Sequence, residues 1–164
     1  MKMLFLLLGM LVVPALVQAQ DEAALEAAGC GPKNTQFDVK TDKNSHPKGQ
    51  PEAGKALVYV FSPFGGVAII GKIRDSRVGV DGTWVGANYK KSYFFFQVAP
   101  GTHNLCVNTT VTTFTAEAGQ THYFMPVVEH HSGESVKLKE ITPAEAELQI
   151  GSLAYSTFTQ KPTK

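Results

Sequence analysis

Excess charge of either sign, cysteine, tryptophan and long apolar runs are all scarce in this chain, and each scarcity excludes something. Its 164 residues carry 15 basic and 14 acidic side chains, a formal net charge of +1. A nearly neutral chain has no electrostatic case for binding nucleic acid or an anionic membrane, which both reward clustered Lys and Arg. The 2 cysteines, Cys30 and Cys106, lack Cys-x-x-Cys spacing and make a poor zinc signature. Beyond the first residues no stretch approaches the ~18 consecutive apolar residues of a spanning helix. Motifs of chemistry are missing too: no H-E-x-x-H or G-x-S-x-G occurs, and Gly65-Gly66 lacks the Lys-Ser/Thr that would complete a phosphate loop. No catalytic residue and no cofactor is expected.

What is present begins with a leader. Lys2 supplies a positive start, residues 4–13 are apolar, Pro14 ends the run, and Val17-Gln18-Ala19 offers a cleavage site. This reads as a signal peptide over residues 1–19, too short to span a bilayer, with the exported chain starting at Gln20 or Asp21. Loss of Lys2 leaves 14 basic against 14 acidic residues. About 145 residues remain, enough for one domain with a real core and too few for two ordinary ones. The expected location is periplasmic or extracellular, with no transmembrane segment after cleavage.

Export gives Cys30 two readings. Ala27-Ala28-Gly29-Cys30 has the outline of a lipobox, but Asp21, Glu22 and Glu26 separate it from the apolar run, which argues against lipid anchoring there. Oxidising compartments preserve disulfides, so a Cys30–Cys106 bond is expected, with two free thiols as the alternative.

Residues 20–54 read as an acidic helix former (21–28) followed by an extended polar arm, in which 36–41 has enough alternation for an edge strand. The domain proper is expected over residues 55–142. Its first strand, A-L-V-Y-V-F-S, places Leu57, Tyr59 and Phe61 on one side and Val58 and Val60 on the other. Apolar residues on both faces suit a central strand covered twice. A Pro63-Phe64-Gly65-Gly66 turn leads to an expected strand at 67–74. Asp81-Gly82 before Trp84-Val85 signals a hairpin with a type I′ turn, with Trp84 near a sheet end. In Ser92–Val98 the alternation leaves Phe95 opposite Phe94 and Phe96, so the arm or the C-terminal segment must cover it, or it forms an exposed patch. Pro100-Gly101 fits a type II turn returning the chain antiparallel. Beyond it Leu105 and Val107 share a face that excludes Cys106, placing a bridge to Cys30 on the outer side. Strands at 111–116 and 121–128 follow, joined through Ala118-Gly119.

The expected fold is all-β: a compact antiparallel β-sandwich of about 7–8 strands with an extended N-terminal arm and a short C-terminal helix. That helix starts at Pro143, because Thr142-Pro143-Ala144-Glu145 is a capping box with proline at the first helical position. Leu148 and Leu153 are expected to pack on the sheet, and 157–164 reads as a loose tail.

In this order, K-A-L-V-Y-V-F, V-G-V-D-G-T-W-V-G, S-Y-F-F-F-Q-V-A-P-G-T-H-N-L and A-E-A-G-Q-T-H-Y-F resemble a bacterial family called domain of unknown function 2846, over roughly residues 55–142. The resemblance implies an exported or lipoprotein-type envelope protein with a compact β-sandwich, similar in its hairpins to PEGA modules. It implies no activity.

Three functions remain open. The first is a non-catalytic cell-envelope module binding an unknown envelope protein or glycan through loops or a sheet edge. The second is a metal-binding protein or metal-dependent enzyme built on Glu129, His130, His131 and Glu134. Neighbouring histidines on an extended chain point opposite ways, which weakens it. The third is self-assembly through exposed aromatics and edge strands; composition does not specify an oligomeric state. His103 and His122 lie within strands near turns, where cross-strand hydrogen bonding or exposure is the ordinary role. Asn108-Thr109-Thr110 matches a glycosylation sequon that is common by chance.

Overall fold

The computed structural model describes residues 30–32, 34–64, 75–129 and 135–161. The leader, the acidic stretch at 21–28, the strand expected at 67–74, and His130, His131 and Glu134 fall outside these described residues.

Ten strands and one helix follow in order: β1 (Phe37–Asp42), β2 (Ala56–Ser62), β3 (Asp75–Val80), β4 (Thr83–Tyr89), β5 (Ser92–Val98), β6 (Gly101–Val107), β7 (Thr110–Ala116), β8 (Thr121–Glu129), β9 (Ser135–Glu140), α1 (Pro143–Ser152) and β10 (Ala154–Gln160). They form a six-stranded sheet, β1-β10-β5-β2-β8-β9, packed on a four-stranded sheet, β4-β3-β6-β7. The fold is the expected all-β sandwich. It has ten strands among the described residues, and two of its ladders, β2 with β8 and β10 with β5, are parallel.

β2 sits inside the large sheet because every one of its residues is apolar enough, or small enough, to be buried. Ala56, Val58 and Val60 face the small sheet and meet Val78, Leu105 and Val107 there, with Phe94, Phe114 and Phe124 filling the space between. Each such side chain removed from water contributes about 1.5–3 kcal/mol. Leu57, Tyr59 and Phe61 face the other way, into a second cluster with Tyr93, Ile141, Ala146, Ile150 and Leu153. The turn between β3 and β4 has φ of +49° at Asp81 and +82° at Gly82, as a type I′ turn requires.

Three expectations need correction. Pro100-Gly101 does not return the chain beside its predecessor: β5 belongs to the large sheet and β6 to the small one, so this link crosses between layers. The stretch read as a loose tail is strand. β10 pairs with β1 from Tyr155 opposite Asp42 to Gln160 opposite Phe37, so Thr157 to Gln160 lie within the sheet. Leu148 is 74% exposed. α1 presents Ala146 and Ile150, four residues apart on one face, and Leu148 falls two residues round from both.

The helix start matches its sequence signature. Thr142 accepts the Glu145 N–H at 3.2 Å, and the Glu145 carboxylate accepts the Thr142 N–H at 2.8 Å. The Thr142 N–H, and after it the Thr142 hydroxyl that donates to the same carboxylate at 2.9 Å, hold the Glu145 pKa below its ordinary value.

Candidate functional site

Alternation along four strands gathers rings on the outer face of the large sheet. Tyr59 from β2 lies 5.0 Å from Phe95 of β5, 5.2 Å from Tyr123 of β8 and 6.2 Å from Tyr93 of β5, centroid to centroid. Tyr155 of β10 extends the cluster, 5.5 Å from Tyr93 and 5.7 Å from Phe95. Burial raises the pKa of all four tyrosines. They therefore keep their protons at neutral pH and work as uncharged hydroxyl donors and acceptors.

Two pieces of chain cover this face. One is α1, through Ala146 and Ile150. The other is residues 45–52, S-H-P-K-G-Q-P-E, which cross the rings as an extended strap outside any strand. Ser45, Pro47, Gly49 and Pro51 are half-buried, while His46, Lys48 and Gln50 between them are exposed. Proline restricts both its own φ and the residue before it, so Pro47 and Pro51 favour this extended path.

Every bond between strap backbone and sheet comes from a side chain, among the described residues. The Tyr93 hydroxyl donates to the Pro47 carbonyl at 3.0 Å, and Gly49 N–H donates to the Tyr59 hydroxyl at 2.7 Å. Gln97 uses both ends of its amide, Nε2 donating to the Gln50 carbonyl at 2.8 Å and Oε1 accepting the Glu52 N–H at 3.2 Å. Lys48 also pairs with Glu147 of α1 at 2.5 Å. Both partners are more than half exposed, so that pair orients more than it stabilises. Phe95 is thus covered from both expected directions, by the arm at Gly49 and by Tyr155 of the C-terminal strand.

On the opposite layer Cys30 and Cys106 form the expected disulfide, with Cα atoms 5.1 Å apart. Cys106 is buried on the face away from Leu105 and Val107, so the bond pins the start of the arm to the outside of the small sheet. Neighbouring contacts reinforce it. Trp84 Nε1 donates to the Pro32 carbonyl at 2.7 Å, Arg77 Nη1 to the Thr35 carbonyl at 3.0 Å, and the Arg77 guanidinium lies 4.7 Å from the Trp84 ring centroid.

The strand histidines are engaged in structure. His103 reaches Asp81 Oδ2 with Nδ1 at 2.6 Å and the Ala99 carbonyl with Nε2 at 2.8 Å. Both partners accept, so the ring must donate from both nitrogens, which is the protonated form. Burial alone would lower the His103 pKa; the bonds to Asp81 and Ala99 outweigh it and raise it. Burial likewise pushes Asp81 up, but His103 and the Asn104 N–H together bring it down. His122 on β8 bonds Glu140 on β9 through Nδ1 at 2.6 Å, the cross-strand role expected for it. Its Nε2 and the Oδ1 of Asn88 are buried without a hydrogen-bond partner among the described residues. Asn108 has φ of +55° and its Oδ1 accepts the Arg77 N–H at 3.0 Å, so the sequon asparagine is part of a turn.

Of the metal alternative, only Glu129 falls within the described residues, as the last residue of β8. Among those residues no three His, Cys, Asp or Glu side chains gather at one point, and no helix is long and apolar enough to cross a membrane.

The family described as Protein of unknown function (DUF2846) matches residues 52–137, and the chain belongs to it. The match runs from the end of the strap through β2 into β9, so it contains Tyr59, Tyr93, Phe95 and Tyr123 but neither Tyr155 nor most of the strap. No curated protein matches this sequence. Among solved structures, the chain is similar to the N-terminal domain of AlgF from P. aeruginosa, at 15% identity and a TM-score of 0.37, covering 58% of this chain and 100% of that one.

The sequence drew attention to Phe95 but not to the tyrosines around it. Tyr59, Tyr93, Tyr123 and Tyr155 come from strands far apart in the chain, and only sheet order places them together. The repeated Pro at 47 and 51 with Gly between was the available signal for the strap.

Proposed function

We propose that this protein is an exported, disulfide-locked β-sandwich of the bacterial cell envelope that acts by binding a partner, not by catalysis. The observation that carries this reading is the Cys30–Cys106 bond. Such bonds persist in oxidising compartments and are rare in the cytosol, which agrees with the leader expected at residues 1–19. The non-catalytic part is supported by His103 and His122, whose Nδ1 atoms bond carboxylates on neighbouring structural elements. Fractionation of native cells, with alkylation and mass spectrometry without reduction, tests it. A chain starting at Gln20 or Asp21 in the envelope fraction, with neither cysteine alkylated, is the expected result. An uncleaved cytosolic chain carrying two alkylated thiols overturns it.

A further inference from the structure

The strap differs from the other coverings of this sandwich in how it is held. Strands are joined by backbone ladders and α1 by apolar side chains, whereas residues 45–52 touch the sheet as a bound peptide touches a receptor. Receptor side chains from Tyr59, Tyr93 and Gln97 read the strap's backbone groups, and its own inward positions carry only Ser, Pro and Gly. Aromatic-lined grooves whose polar tips bond the main chain of an extended, proline-bearing segment are a recurring way to recognise peptides. Such a segment has already lost much of its conformational freedom, so little more is lost on docking.

The fit at the centre is tight. A Cβ at Gly49 would lie 2.7 Å from Phe95 Cε2, 2.8 Å from its Cδ2 and 3.1 Å from Leu57 Cδ2. The groove therefore admits a residue without a side chain at this point, flanked two residues away on each side by proline. Nothing in these contacts requires that the segment belong to the same chain.

We infer that the tyrosine-lined face is a peptide-binding groove for an extended Pro-x-Gly-x-Pro type segment of a partner protein, and that residues 45–52 are its resident, self-bound ligand. This deepens the binding role proposed above by naming the partner's chemistry. A tethered strap competes at the millimolar effective concentration of a short linker, so free peptide binds the intact protein poorly until the strap leaves.

The probe is a synthetic peptide of residues 44–54 added to purified disulfide-bonded protein. Gly49→Val drives the strap off Phe95, and hydrogen exchange at residues 45–52 reports its departure. The peptide is expected to bind this variant at least tenfold more tightly than the unaltered protein. Adding Tyr93→Phe, which removes one hydrogen bond, is expected to weaken it about fivefold, and Gln97→Ala, which removes two, is expected to weaken it further. A peptide with Val at its central glycine is expected not to bind. If Gly49→Val does not fold, Pro47→Gly with Pro51→Gly loosens the strap without added bulk and takes its place. Equal affinity for intact and strap-released protein, or no binding to a folded variant whose strap has left, overturns the inference. The readout is independent of cell location, so failure of the export reading and failure of the groove are told apart.

Discussion

Gly86 of β4 and Phe158 of β10 meet across the two sheets so closely that a Cβ at position 86 would lie 2.5 Å from the ring Cζ, with Phe94 Cε2 at 2.7 Å. The contact ties the C-terminal strand to the small sheet. β10 ladders with β5 only at Ala154 and Tyr155, and beyond that Phe158 replaces sheet pairing with packing on Phe94, centroids 5.0 Å apart, and on Phe37 at 5.8 Å.

Overpacking follows for Gly86→Ala. Phe94 lies in the core and half-buried Phe158 packs against it, so the substitution is expected to cost about 1–3 kcal/mol in urea unfolding. In a Phe158→Leu background the same change is expected to cost at least ~1 kcal/mol less, because the groups share one contact. A full, unchanged cost in both backgrounds would place the strain elsewhere.

The disulfide closes a separation of 76 residues, for which the chain-entropy argument gives about 4 kcal/mol of stabilisation. Cys30→Ser with Cys106→Ser is expected to lower the urea midpoint accordingly. Reductant is expected to shift the midpoint of the unaltered protein and leave that of the double variant where it is.

The His103–Asp81 pair makes stability depend on pH in a defined sense. The His103 pKa is raised in the fold, so its contribution is full below about 6.5, its ordinary value, and is lost as pH rises through the folded value. Asp81 is lowered, so its contribution is present above about 3.9 and is lost as pH falls through its folded value. The pair is therefore strongest in weakly acidic solution. Asp81 is 47% exposed in its side chain, which screens the pair, and about 1 kcal/mol is expected. His103→Gln is expected to be less stable than the unaltered protein by that amount at pH 5, with the gap narrowing at pH 9. A constant gap would refute the linkage.

Ile150 and Leu148 sit two residues apart on α1 with opposite consequences. Ile150 is 3% exposed and packs under the helix, so Ile150→Ala is expected to cost about 2–5 kcal/mol. Leu148→Gln is expected to change stability by less than about 0.5 kcal/mol, since its side chain is largely in water. Thermal or urea unfolding of both variants checks the pair.

Strand identity and turns were legible where local chemistry decides them. A-L-V-Y-V-F-S announced a doubly covered strand, Asp81-Gly82 a type I′ turn, and Thr142 with Glu145 a helix start, and each formed as written. Two strands were missed despite a local signal. V-K-L-K in β9 alternates, and A-Y-S-T-F-T-Q in β10 is rich in β-formers, but the first is short and mostly polar and the second, near the chain end, reads equally well as tail. What made β10 a strand was β1, more than a hundred residues earlier, laddering along it.

By itself the sequence determined the class of fold, the two faces of each core strand and the chemistry of the turns, because these depend on side-chain alternation and on φ preferences within a few residues. It also held the pair of cysteines whose bond the fold closes. Only the tertiary structure decided which strands are neighbours, and hence that four tyrosines from β2, β5, β8 and β10 form one surface with residues 45–52 lying on it. Those contacts join segments whose separation along the chain carries no local signature. They exist because sheet order brings the rings together and because Gly49 leaves room for the backbone to pass over Phe95.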